Sequence, residues 1–302
     1  MPAQAVYQPR VVALVHNPTL ESQGGRKLNA VMRWNDPEAL MTDYIDDVAA
    51  ISHGRVRYRV VDRIEVDDFP RKVDGFRYTD ASFVRAWRAK RGFHEPDTAD
   101  YGELLALSNF TARVEANQAD ELWLFAFPYG GYYESRMGGR GAIWCNGPVI
   151  EGSEGVSRRF AVMGFNYERG VGEMLENLGH RAESILEHVF RRTAPADHLW
   201  HRFIQHEHTH PGQAACGNVH FAPNSERDYD WGNPRPVRST ADDWLRYPVL
   251  TGAARTMTCQ DWGNGDIRDH HVWWMSRFPH LDGVNARGYA HDWWRYIVGL
   301  DF

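Results

Sequence analysis

The sequence predicts an α+β fold, and three observations predict it. The chain opens with a strand, a capped helix and a second alternating run. A long amphipathic helix lies near its middle, and beyond Pro195 the regular pattern gives way to a segment rich in Pro, Gly, Asn and Trp. The expectation is a mixed-sheet α/β lobe over residues 1–193, ending in the long helix, and an irregular aromatic-rich lobe over 194–302. The two pack as separate lobes or as one large domain.

Residues 10–16 form an apolar run that ends at His16-Asn17-Pro18, as a buried strand would. Residues 37–52 carry apolar side chains at helical spacing, with Asp36 as N-cap and Pro37 at the first helical position. Gly54 ends that helix, and Arg55 to Val61 alternates like a strand. Residues 99–116 read as helix and Asp120–Phe127 as a buried strand. Two turns, Tyr129-Gly130-Gly131 and Gly138–Gly141, then flank an edge strand expected at Ala142–Cys145. Neither turn has the spacing of a phosphate-binding loop. Arg159–Phe165 is a further strand, a helix is expected over 168–192, and short helical stretches follow near 241–246, 268–277 and 290–297.

Composition excludes several classes. The 302 residues are 43% hydrophobic and 25% charged, as in ordinary globular chains. No apolar run approaches the about 20 residues needed to span a bilayer. The short run after Met1 has neither the length nor the flanks of a signal peptide. A net charge of −6, without a long Lys/Arg tract, argues against nucleic acid as a partner. Three widely spaced cysteines without a C-x-x-C pair fit a reducing, cytoplasmic setting better than a disulfide framework. Of twelve tryptophans, eight lie from Trp200 onward, so large rings are expected to build that lobe's core.

The long helix is the richest stretch. On a helical wheel Val171, Met174, Leu178, Ile185 and Val189 share one face. Glu173, Glu176, His180, Glu183 and Glu187 fall within an arc of roughly 80° almost opposite. A solvated acidic face paired to Arg169 and Arg191 would explain the pattern. Yet no lysine interrupts four mutually repelling glutamates, and Glu183 and Glu187 lie where the helix dipole disfavours negative charge. A cation would relieve both problems. Glu176-x3-His180-x2-Glu183 places three ligand types on adjacent turns, which suits a divalent ion such as zinc.

Leu178-Gly179-His180 on a long helix, preceded by a buried strand, a Tyr-Gly-Gly turn, an edge strand and another strand, resembles the zincin metallopeptidase superfamily and its H-E-x-x-H motif. The resemblance covers roughly residues 120–190. It implies an α/β first lobe, an irregular second lobe, and a zinc ion in the cleft between them. His180 matches the motif outright, Glu176 stands at the first histidine's position, and Asn177 stands at the catalytic glutamate's. Leu186 falls where the third histidine of one branch of the superfamily would lie. Glu176 remains able to bind a metal, whereas Asn177 cannot act as a general base.

Outside the helix, His220 lies in a short apolar run and is the candidate third ligand to Glu176 and His180. Cys216 beside it offers a weaker nucleophilic pairing. His206-Glu207-His208-Thr209-His210 would present three imidazoles if extended, but Pro211-Gly212 argues for a loop. Asp230 and Trp231 sit in a turn-like Asp-Tyr-Asp-Trp stretch. His270 and Trp274 share a helical face and are candidates for a pocket wall, or for core. Glu134 and Glu168 end strands, where functional groups of α/β lobes project.

Three functions follow as expectations. The first is a metal-dependent hydrolase with a degenerate zincin-like site, in which Glu183, Glu173 or Glu168 activates water near a divalent metal held by Glu176, His180 and His220. The second is metal-independent carbohydrate binding or cleavage in a Trp-lined cleft, with carboxylates such as Glu134, Glu168 or Asp230 and with Trp231, His270 and Trp274 as substrate-binding rings. The third is a non-catalytic zincin-like binding protein. The expected ligand is a small molecule, peptide or glycan, with neither nucleic acid nor membrane as partner.

Overall fold

A computed structural model describes residues 5–302 as an α+β protein, with a mixed sheet, helices and extensive aromatic clusters. Two compact units divide the chain. One comprises Pro9–Asp43 and Arg59–Gly170; the other comprises the residues up to Gln8, Tyr44–Tyr58 and Val171–Phe302.

The first unit is built on five strands: β1 (Arg10–His16), β2 (Arg59–Val66), β3 (Glu121–Ala126), β4 (Ser135–Gly138) and β5 (Phe160–Asn166). Their order across the sheet is β2-β1-β3-β5-β4. The first four pair in parallel, and β4 closes one edge antiparallel to β5, with Ser135 opposite Met163 and Gly138 opposite Phe160. Nearly every residue of β1, β3 and β5 is buried, which explains why these strands read as continuous apolar runs rather than as alternating ones. Val12, Leu14, Leu122, Leu124, Phe160 and Val162 share a core with Leu104 and Phe110 of two short helices.

Three expected elements differ. The alternation of Arg55–Val61 is not all strand: β2 starts only at Arg59, and the buried Arg55 guanidinium instead meets Asp282, Asp292 and the Ala5 carbonyl. The helix expected over 99–116 is two, Tyr101–Leu107 and Phe110–Glu115, because Asn109 adopts a left-handed conformation between them. The edge strand is Ser135–Gly138, not Ala142–Cys145. Gly139 and Gly141 turn the chain at positive φ, and Trp144 beyond them is 63% exposed. The helix with Pro37 at its first position (α1, Pro37–Ile51) forms as expected, with Asp36 accepting from the Glu38 amide.

In the second unit the long helix, α2 (Val171–Phe190), packs against α3 (Ile267–Met275) and against the short C-terminal helix Trp294–Ile297. This explains why it gathers with the C-terminal residues, whereas the sequence reading placed it with the sheet up to residue 193. The rest is turns, short 3-10 segments and two-stranded ribbons around stacked rings. Trp293, fully buried, meets Phe190, Trp200, Phe203, Trp244, Tyr247 and Phe278. No helix among the described residues is long and apolar enough to cross a membrane.

Candidate metal centre

The acidic stripe of α2 is not a uniform solvated face. Glu176 is only 8% exposed and Glu187 is exposed, with Glu173, His180 and Glu183 between these extremes. Helical geometry sets Glu176 and His180 one turn apart and Glu183 on the next. What completes the group is a loop. His220 Nε2 lies 3.1 Å from Glu176 Oε1, and the His180 and His220 rings meet edge to face at 4.9 Å. One donor atom from each of Glu176, His180 and His220 falls within 4.8 Å of the others.

The loop reaches this position because α3 bolts it down. Trp274 Nε1 donates to the Gly217 carbonyl and His271 Nε2 bonds the Val219 carbonyl, so two rings of α3 replace the ladder a strand would have supplied. Gly217 has a positive φ, and a Cβ there would lie 2.0 Å from the Phe221 carbonyl oxygen, so only glycine closes this turn. Asn218 Oδ1 then accepts from the amides of His220 and Phe221. His220 thus sits in a tight turn and not in the short strand expected. Gly179, one residue before His180, allows the approach from the helix side. A Cβ there would meet Val219 at 2.9 Å and Trp274 at 3.1 Å.

Each imidazole is held by a carboxylate on its other nitrogen. His180 Nδ1 bonds Glu183 Oε2 at 3.0 Å, and Glu183 Oε1 accepts from the Val219 amide at 3.3 Å. His220 Nδ1 lies 3.1 Å from Asp228. Carboxylate–imidazole pairs of this kind hold a proton on Nδ1, so that the neutral ring would present Nε2 to an ion. Tyr229, at positive φ beside Asp228, places its hydroxyl 3.1 Å from Glu176 Oε1 and 3.0 Å from His220 Nε2. Burial would raise the Glu176 carboxyl, but His220, His271 and the Tyr229 hydroxyl together hold it below its ordinary range. The hydrogen bond to Glu176 raises His220 above its usual value.

These contacts reassign several expected residues. Glu183, expected as a catalytic carboxylate, has both oxygens committed to positioning His180 and Val219. Glu173 lies one turn before Glu176 on α2, whereas Glu168 and Glu134 belong to the sheet unit, where Glu134 bonds Asn146. Asp230 closes its own turn through the Glu226 amide and Asn233. Trp231, His270 and Trp274 are core and not a pocket wall: His270 and Trp274 are fully buried, and Trp231 stacks on His270 at 4.7 Å. Cys216 is buried with its thiol pushed well up, which removes it as a nucleophile. His206–His210 fold as a turn, with the His210 amide on the His206 carbonyl, and the His206 and His208 rings lie parallel against Phe221. Asp228 and Tyr229 belong to the Asp-Tyr-Asp-Trp stretch that the sequence marks as a turn or sugar site, but nothing in that stretch points them at His220 and Glu176.

A second grouping, Glu187, His198 and His201, also brings donor atoms together. Here His198 Nδ1 accepts the His201 amide, capping the helix Leu199–Phe203, and the two rings stack at 3.5 Å and 14°. In-plane lone pairs of parallel rings do not converge on one ion, so this grouping reads as a helix cap. Comparison with protein-family models, curated proteins and solved structures gives no match for the chain.

Proposed function

We propose that the chain is a metal-dependent hydrolase with a zincin-like centre, in which Glu176, His180 and His220 hold a divalent ion, zinc first among them. The observation that carries the reading is the convergence of a carboxylate and two carboxylate-braced imidazoles. The donor set fits such an ion. Two nitrogens and one oxygen leave a position open for water or substrate, as in catalytic zinc sites. The 3.1 Å between His220 Nε2 and Glu176 Oε1 is close to the roughly 3.4 Å edge of a tetrahedron with bonds of about 2.1 Å. A sheet whose antiparallel edge strand, β4, is followed in the chain by β5 and then by the long helix supports the same reading.

A bound ion would supply Lewis acidity and a water of lowered pKa. The protein's own part is positioning. Glu183 and Asp228 orient the imidazoles, and the Tyr229 hydroxyl donates to Glu176 Oε1, steadying the carboxylate ligand. Asn177 supplies no base, which keeps the non-catalytic reading as the second.

Elemental analysis of untagged protein purified without chelator tests the proposal. About one transition-metal ion per chain is expected, lost from His180→Ala along with hydrolysis of a peptide and ester panel. Metal retained by wild type without turnover on that panel selects the binding protein. Metal-free protein whose melting temperature is unchanged by zinc or by chelator overturns both.

A further inference from the structure

We propose that a cavity in the sheet unit is a saccharide-binding site, independent of the metal reading. The cavity has a volume of about 460 Å³, and its lining includes Trp87, Phe93, Tyr129, Asn166, Glu168 and Arg169. That size suits a mono- or disaccharide and lies within the ~300–1,000 Å³ of small-ligand sites. Its position follows from the fold. Pro128 lies just past the end of β3 and Asn166 is the last residue of β5, so the cavity opens beyond the carboxyl ends of parallel strands, where open α/β sheets bind ligands.

The aromatic wall is held in place at a steric cost. Tyr129 has φ 65, a left-handed conformation unusual for a large side chain, and its ring lies on Phe93 at 3.4 Å and 10°. Beneath it Lys72, fully buried, donates to the Tyr129 carbonyl and to Asp97. The strained loop is therefore fixed from below, while the Tyr129 side stays 39% exposed. A rigid ring with one face stacked on Phe93 is a platform for the C–H face of a sugar.

The polar wall comes from one short stretch, residues 166–169. Asn166 Oδ1 accepts the Glu168 amide, and the Asn166 NH2 has no protein partner among the described residues. Among the described residues the Glu168 carboxylate has only a loose ion pair with Arg169, at 3.9 Å. Amide donors, carboxylate acceptors and a guanidinium side by side match vicinal hydroxyls, each of which both donates and accepts. Other ligand classes fit less well. Glu168 and Asp97 repel an anion, the polar stretch disfavours an apolar guest, and a cation meets Arg169 and Lys90, whose Nζ already covers the Trp87 ring at 3.2 Å.

Calorimetric titration of the full chain, in chelator, with glucose, galactose, mannose, N-acetylglucosamine and their β-linked disaccharides tests the site. Tetramethylammonium and inorganic phosphate serve as competing probes. At least one saccharide is expected to bind, with affinity reduced about tenfold or more in Tyr129→Ala and only slightly in Tyr129→Phe. Glu168→Gln, which keeps the shape, should weaken it severalfold. Tyr129→Gly, at ease with the positive φ, gives the same reading if the alanine variant folds poorly. No saccharide binding, binding indifferent to Tyr129 and Glu168, or a preference for either competing probe overturns the proposal. Loss of metal from the other site would leave this result unchanged, so the two readings fail separately.

Discussion

In the sheet unit, Val12, Leu14, Leu122, Leu124, Phe160 and Val162 build a core from strand side chains spaced two apart. Between Val171 and Phe302 the core is a lattice of rings around Trp293. The difference lies in what holds the backbone. Strands satisfy their own amides and carbonyls through the ladder. A region with few strands must find other partners, and rings with polar edges provide them. Trp274 takes the Gly217 carbonyl, Trp262 takes the Trp231 carbonyl, and His271 takes the Val219 carbonyl. Such a core can fix an irregular loop firmly enough to face a helix with ligand atoms.

The comparison breaks if the ring lattice is only filler. Trp293→Ala, which removes the hub, should cost about 3–5 kcal/mol, at or above the roughly 2–5 kcal/mol expected for Leu124→Ala in β3. Denaturant unfolding of both variants would show it. A loss below about 1 kcal/mol at Trp293 would mean that the rings share no common core.

Buried imidazoles sharpen it next. His16, at the end of β1, is pushed down to about 3, by burial first and then by the Arg77 charge. The unfolded chain therefore takes up a proton near pH 6.5 that the folded one refuses until about pH 3. Nothing is lost above pH 6.5. Below it, stability should fall by about 2–3 kcal/mol by pH 4.5, and His16→Gln should remove about one proton from the slope of unfolding free energy against pH. An unaltered slope in that variant would contradict the shift.

The smallest effect concerns the helix–loop approach. Gly179→Ala gains about 1 kcal/mol of helix propensity but sets a Cβ against Val219 and Trp274, an overpacking that costs about 1–3 kcal/mol. Net destabilisation of about 1 kcal/mol is expected from the melting temperature, and stabilisation would show that the contact is slack.

The regular half of the fold was legible because buried parallel strands leave long apolar runs, as β1, β3 and β5 do. It failed where one residue's conformation decides the outcome. Asn109 splits a periodic stretch into two helices, and β4 reads Ser-Arg-Met-Gly, with no apolar pattern to mark it. In the candidate site, Glu176 and His180 were legible from helical spacing, and His220 from its apolar setting. Asp228 and Tyr229 stood out only as part of an Asp-Tyr-Asp-Trp turn, because their approach to His220 and Glu176 depends on how two loops fold back and not on spacing. His270 and Trp274 illustrate the converse, since a shared face says nothing about whether that face meets ligand or core.

Glu183 also explains why position 183 must hold an acid and not its amide. A glutamine could satisfy the Val219 amide only with its oxygen, and its NH2 would then turn toward His180 Nδ1. Nδ1 would have to accept, and the ring hydrogen would move to Nε2. The exchange of one oxygen for nitrogen would thus put a hydrogen where His180 otherwise offers a lone pair, on the atom that the candidate centre needs.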